Sequence, residues 1–209
     1  MARERAPRKR AAAARDTPER RLVTAALELA ARQGWRRTGL AEIAAAAGLP
    51  LHEAYALHRS KAAILEAFSR QIDVEVLAGM PAAEADDKPR ERLFDTLMRR
   101  LDALKPHKPA IRAILRDSLS PPAVACGLPG RLRSMRWMLE AAGISTAGCR
   151  GRLLVHLVLG LYVSVLRVFL QDDSPDLART MAALDRGLRR GEALCHLGRA
   201  RQAGAPGPA

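Results

Sequence analysis

The chain has 209 residues, with 35 Lys and Arg against 22 Asp and Glu, a formal charge of +13, and 48% hydrophobic but only 3% aromatic residues. That length suits one large or two small domains with an appreciable core, and a composition rich in Ala, Leu and Arg excludes a β-sandwich or barrel. Three dispersed cysteines (Cys126, Cys149, Cys195), five histidines without metal-ligand spacing, and the lack of a phosphate-binding Gly loop or nucleophile elbow argue against a disulfide framework, a zinc site and an enzyme.

Residues 1–16 are basic and carry no apolar periodicity, so they read as a disordered arm. Their apolar content is too small for a signal peptide; an Arg-rich mitochondrial presequence is the alternative. Thr17 then marks a helix start, with Pro18 at its first position and Glu19 in its first turn. Leu22, Val23, Ala26, Leu27 and Ala30 form its inward stripe, and Gly34 ends it. Thr38 is the expected cap of a short second helix through Ala47, which Gly48 closes. Pro50 is the expected first residue of another short helix to about Leu57. Ser60 caps a fourth from Lys61, with Ile64, Leu65, Phe68 and Ile72 inward.

Residues 79–88 read as a loop. Beyond it, a helix over 90–104 puts Leu93, Phe94, Leu97, Leu101 and Leu104 on one face. Pro106 and Pro109 bracket a break before a short helix over 111–119. Residues 120–130 (SPPAVACGLPG) are expected to be a loop on their Pro and Gly content. A helix over 131–142 is stopped by Gly143. Residues 150–171 are apolar nearly all round, which predicts a helix buried in the middle of a bundle; the run 153–170 contains His156 and Arg167, so a buried helix fits better than a membrane span. Ser174 is the expected cap of the last helix, with Pro175 and Asp176 in its first turn and a run to about Arg199. Its seam, Leu177, Met181, Leu184, Leu188, Gly191 and Cys195, predicts close packing within the chain or across a two-fold axis. Residues 201–209 read as a disordered tail.

The fold class is therefore all-α: an N-terminal helix-turn-helix three-helix unit over 17–61, with the motif at about 39–58, and a C-terminal helical bundle over 62–200. Leu40, Ile43, Ala44, Ala47, Leu49 and Ala54 have the spacing of the small core that holds the two motif helices at a fixed angle.

Residues 17–78 resemble the TetR family of bacterial transcriptional regulators. The resemblance rests on Gly34-Trp35, Thr38, Ile43-Ala44, the Ala47-Gly48-Leu49 turn, Tyr55, and Lys61 followed by Ile64-Leu65. It implies a cytoplasmic, homodimeric repressor that binds double-stranded DNA and responds to a small apolar effector. It places Thr38, Tyr55 and Lys61 on phosphates, with Leu51, His52 and Glu53 facing base edges and His58 beside them. The arm could follow the DNA backbone or enter a minor groove, or could be a solvated tail. The stretch 50–57 contains no Arg or Lys, so bidentate reading of guanine is unavailable to it.

A second, shorter resemblance joins GLP before Leu51, Leu57-His58, SMRWMLEAAGI and LQDDSPDLARTMAALDRGLRR. These look like the TetR-fold lipid-binding accessory protein of ubiquinone biosynthesis, in which that fold serves a membrane-associated lipid rather than an operator. Only in that reading is a membrane partner expected. The candidate effector-binding residues are Trp137, His156 and Arg167; Trp137 more often fills a core, and His156 and Arg167 more often serve a satisfied structural role. No cofactor is expected.

Overall fold

Local chemistry decides where most helices begin and end. The computed structural model describes residues 17–81, 88–117 and 121–203, with the side chains of 121–126 and 193–203 left aside. The basic arm, the rest of the 79–88 connector, Ser120 and residues 204–209 lie outside that description, as do the side chains of Cys126 and Cys195. Every regular element among the described residues is helical. In chain order they are α1 (Pro18–Gln33), α2 (Leu40–Ala46), α3 (Leu51–Leu57), α4 (Lys61–Ala78), α5 (Pro89–Leu104), a 3-10 turn (Lys105–His107), α6 (Lys108–Asp117), α7 (Pro121–Ala141), α8 (Gly148–Gln171) and α9 (Ala178–Ala203).

Thr17 accepts the Arg20 N–H at 3.3 Å and Ser60 accepts the Ala63 N–H at 3.1 Å, so both act as N-caps. Gly48 and Gly143 sit at φ 64° and 76° and close α2 and α7. At each, the next amide reaches back to a carbonyl of the last turn, Leu49 to Ala44 and Ile144 to Leu139, both at 2.9 Å.

Two compact units result. The first comprises the described residues up to Gln71 together with 106–130. In it α1 packs against both α2 and α6, which is why it is buried on more than one stripe, from Leu22 and Val23 to Ala25 and Leu29. The motif core forms from Ile43, Ala44, Ala47, Leu49 and Ala54, while Leu40, expected in it, is exposed. Ile64, Ala67 and Phe68 of α4 complete this core, and Phe68 meets His107 edge-on at 5.1 Å. The unit takes in α6, which the sequence expectation of a bundle over 62–200 places with the C-terminal helices.

The second unit comprises 72–105 and 131–203. Here α9 packs on α8 and α5, and α5 also meets α8. Leu97, Leu101, Met138, Leu139, Phe169 and Leu184 are among its fully buried side chains. A buried polar cluster crosses this core. Arg100 Nε lies 3.0 Å from Asp73 Oδ1, the Arg100 guanidinium donates to the Tyr162 hydroxyl, and Ser134 Oγ donates to Asp73 at 2.7 Å.

Four expectations are corrected. Residues 121–130 are not a loop: α7 starts at Pro121 and runs through Pro129. Pro residues at a helix start need no N–H partner, so the Pro pair is a helix start signal rather than a breaker. The short sixth helix begins at Lys108, three residues earlier than its periodicity suggested, with Pro109 inside its first turn. The last helix starts at Ala178 rather than at Pro175, because Leu177 takes φ 54° and the start is held by buried Asp172. That carboxylate accepts the Thr180 N–H at 2.8 Å and its hydroxyl at 2.7 Å, and Ser174 Oγ at 2.6 Å. The helix then continues to Ala203, into the segment expected to be tail.

Finally, α8 is amphipathic in place rather than buried all round. Val155, Tyr162, Val165 and Phe169 face the core, whereas Leu153 and Leu157 are exposed. Among the described residues it is the one helix long and apolar enough to cross a membrane.

Candidate nucleic-acid interface

The short helix α3 is fastened by one residue and open elsewhere. Ala54 is buried against the motif core, and around it Leu51 is 57% and Tyr55 61% exposed; His52, Glu53 and Ala56 are exposed as well. Pro50 is the N-cap of α3 rather than its first residue, and offers no side-chain acceptor. Its carbonyl takes the Glu53 and Ala54 amides, both at 3.1 Å. A helix of this size held by its inner face leaves its front turn free to enter a groove.

Basic charge precedes and follows α3 in the chain rather than lying on it. Arg59 lies just beyond its end, its guanidinium 6.0 Å from the Tyr55 ring centre. Arg36 and Arg37 are exposed on the turn between α1 and α2, and neither is in an ion pair among the described residues. The charge of these three arginines is plain in the sequence, whereas their exposure follows only from the fold.

The residues assigned to phosphates behave differently from one another. Tyr55 is presented to solvent. Thr38 is only 2% exposed and does not cap α2: its Oγ1 donates to the Gly34 carbonyl at 2.8 Å, and Gly39 is the N-cap, its N–H 3.5 Å from Glu42 Oε2. Glu42 in turn accepts Gln33 Nε2 at 2.8 Å, tying α2 to the end of α1. Lys61 Nζ donates to the carbonyls of Trp35 and of Thr38, the latter at 2.7 Å, and rests 4.4 Å from the Trp35 ring. Burial lowers its pKa, partly offset by the Asp117 carboxylate. Its ammonium is therefore engaged with the α1–α2 turn. His58 points inward, its side chain 3.2 Å from Glu19, which also pairs with Arg70 at 2.7 Å.

The other face of the same turn is held by Asp117, the last residue of α6. Its Oδ2 accepts the Arg36 N–H at 2.9 Å. That bond, opposed by partial burial and helped by Arg116, lowers its pKa.

The candidate effector residues do not come together in an interior. Trp137 is 55% exposed on α7 while its neighbours Met135 and Met138 fill the core. His156 and Arg167 are exposed on α8, and His156 Nδ1 is 2.8 Å from the Arg152 carbonyl of the preceding turn. Their common face is the outer one, which corrects the expectation of a cationic anchor inside a pocket. Among the described residues no cluster of His, Cys, Asp and Glu could hold a metal ion.

Residues 22–68 match the family model of bacterial regulatory proteins of the tetR family. The chain is similar in fold to three solved TetR-family transcriptional regulators. One from Nitrosomonas europaea ATCC 19718 is 24% identical at a TM-score of 0.66, over 82% of this chain and 96% of its own. One from Rhodococcus sp. RHA1 is 21% identical at 0.59, over 82% and 95%, and one from Streptomyces coelicolor is 20% identical at 0.54, over 90% and 92%. No curated protein sequence matches the chain significantly.

Proposed function

We propose that this chain, which has the fold of TetR-family transcriptional regulators and that family's N-terminal DNA-binding domain, is a cytoplasmic homodimeric repressor that binds a pseudo-palindromic operator and releases it on taking up a small apolar effector. The observation that carries the reading is the presentation of α3: Ala54 anchors it, and Leu51, His52, Glu53 and Tyr55 stand clear of the fold as a groove-reading surface would. With no Lys or Arg on α3, base discrimination falls to His52 and to apolar contacts with thymine methyls, and the phosphate grip to the flanking arginines. The exposed apolar residues Leu153 and Leu157 on α8 and Met181 on α9 support self-association through the last two helices.

The test is selection of genomic fragments by the purified protein at about 150 mM salt, where binding through phosphates alone is weak. Enrichment of a two-fold symmetric site supports the reading; folded protein that enriches nothing overturns it. A second reading, a lipid-binding accessory protein on this fold, is favoured by the same basic-free α3. Co-purified isoprenoid lipid together with negligible, salt-insensitive affinity for duplex DNA would establish it.

A further inference from the structure

The turn between α1 and α2 is held by opposite charges that hydrogen-bond to its main chain. On one side the Asp117 carboxylate takes the Arg36 N–H at 2.9 Å. On the other the Lys61 ammonium donates to the carbonyls of Trp35 and Thr38. Thr38 Oγ1 closes the loop on the Gly34 carbonyl at 2.8 Å, and Gly34 itself sits at φ 88°, where a Cβ would come within 3.2 Å of Asp117 Oδ2. Donors of the turn thus meet an anion and its acceptors meet a cation, so the peptide planes have one favourable orientation. What the turn carries outward is Arg36 and Arg37, exposed and without an ion-pair partner among the described residues.

We propose that Asp117 is a positioning residue for DNA binding: by gripping the main chain at Arg36, it aims the Arg36–Arg37 pair at the phosphate backbone beside α3. The inference rests on the DNA-binding reading above. It assigns to this pair the positive charge that α3 lacks, and gives an acidic residue 81 positions away in the chain the task of placing it. The sign of the expected effect is what separates positioning from simple electrostatics. Removing a carboxylate near a DNA-binding surface should strengthen binding, because a charge that repels phosphates is lost. Removing a clamp should weaken it.

The experiment uses the full chain and a labelled random-sequence duplex of about 24 base pairs, titrated between about 50 and 200 mM salt. Four proteins are compared: wild type, Asp117→Ala, the double variant Arg36→Ala/Arg37→Ala, and the triple combination. Loss of both arginines should reduce the slope of log K against log salt by about 2, at roughly 0.9 per phosphate contact. Asp117→Ala, which removes the acceptor as well as the charge, should lower affinity about fivefold and the slope by about 1, while remaining folded by circular dichroism. In the arginine-free background Asp117→Ala should change affinity by less than about twofold, since nothing is left to aim. Tighter binding by Asp117→Ala, or an equal loss in both backgrounds, overturns the inference and leaves the DNA-binding reading standing. Wild-type protein that binds no duplex at the lowest salt overturns both.

Discussion

Arg100 and Asp73 form a buried ion pair at 3.0 Å, bridging α5 and the second half of α4 inside the second unit. The guanidinium also stacks 4.9 Å from the Tyr162 ring centre. Burial opposes its charge, but Tyr162 and Asp73 outweigh that and raise its pKa further. A charge this deep is tolerated only with its partners in place. Arg100→Ala strands Asp73 and should cost about 3–5 kcal/mol of unfolding free energy in urea titration. A loss below about 1 kcal/mol would show that water or a neighbour takes over the carboxylate.

Asp172 supplies the pH dependence. Burial alone would raise the pKa of its carboxyl, but hydrogen bonds from Ser174 and Thr180 win and hold it far below the ordinary value. The unfolded chain therefore binds the proton more tightly than the native one. Its stabilisation is complete above an unfolded pKa of about 3.9 and is lost as pH falls through the lower native value. Asp172→Ala should destabilise by about 2 kcal/mol at pH 7 and by less near pH 3, measured by denaturant midpoints. An identical loss at both pH values would remove the carboxylate from the argument.

Gly151 opens the first turn of α8 against the chain that leads into it. A Cβ there would lie 2.2 Å from the Thr146 carbonyl carbon and 2.4 Å from its oxygen. Main chain cannot turn aside as a side chain does, so Gly151→Ala should cost about 2–3 kcal/mol despite the better helix propensity of Ala. Thermal melting of the variant gives the answer directly; a rise in Tm would mean the loop before α8 yields freely.

Arg59 offers the simplest probe of the surface around α3. It is exposed beyond the helix and lies 6.0 Å from the Tyr55 ring centre. Arg59→Ala should leave folding unchanged and reduce the salt slope of duplex binding by about 1, uniformly across sequences. Lys61→Ala, by contrast, should also lower stability, because two turn carbonyls lose their donor.

What could be read in advance was whatever a residue does to its own neighbourhood. Thr17, Ser60, Gly34, Gly48 and Gly143 mark helix ends because a hydroxyl or a positive φ acts within four residues, and all five stand where their chemistry put them. The TetR-like motif was legible for the same reason. Long-range partners were not. The Pro pair at 121–122 looks the same in sequence whether it breaks a helix or starts one. The start of α9 is set by Asp172 reaching across eight residues to Thr180, which shifts it beyond the Ser174 signal. Thr38 reads equally well as a cap or as a brace to Gly34, and only the fold selects the brace. The outer face of α8 misled because apolar residues pointing to solvent carry the same pattern as apolar residues pointing inward.

The grip on the α1–α2 turn engages amides and carbonyls, not the side chains at 36 and 37. Those two positions are therefore free to mutate without loosening the segment that bears them. Selection can retune how the domain meets its target there, one substitution at a time, at little cost to folding. Asp117, Lys61 and Gly34 form the fixed frame, and the two arginines are its replaceable fittings.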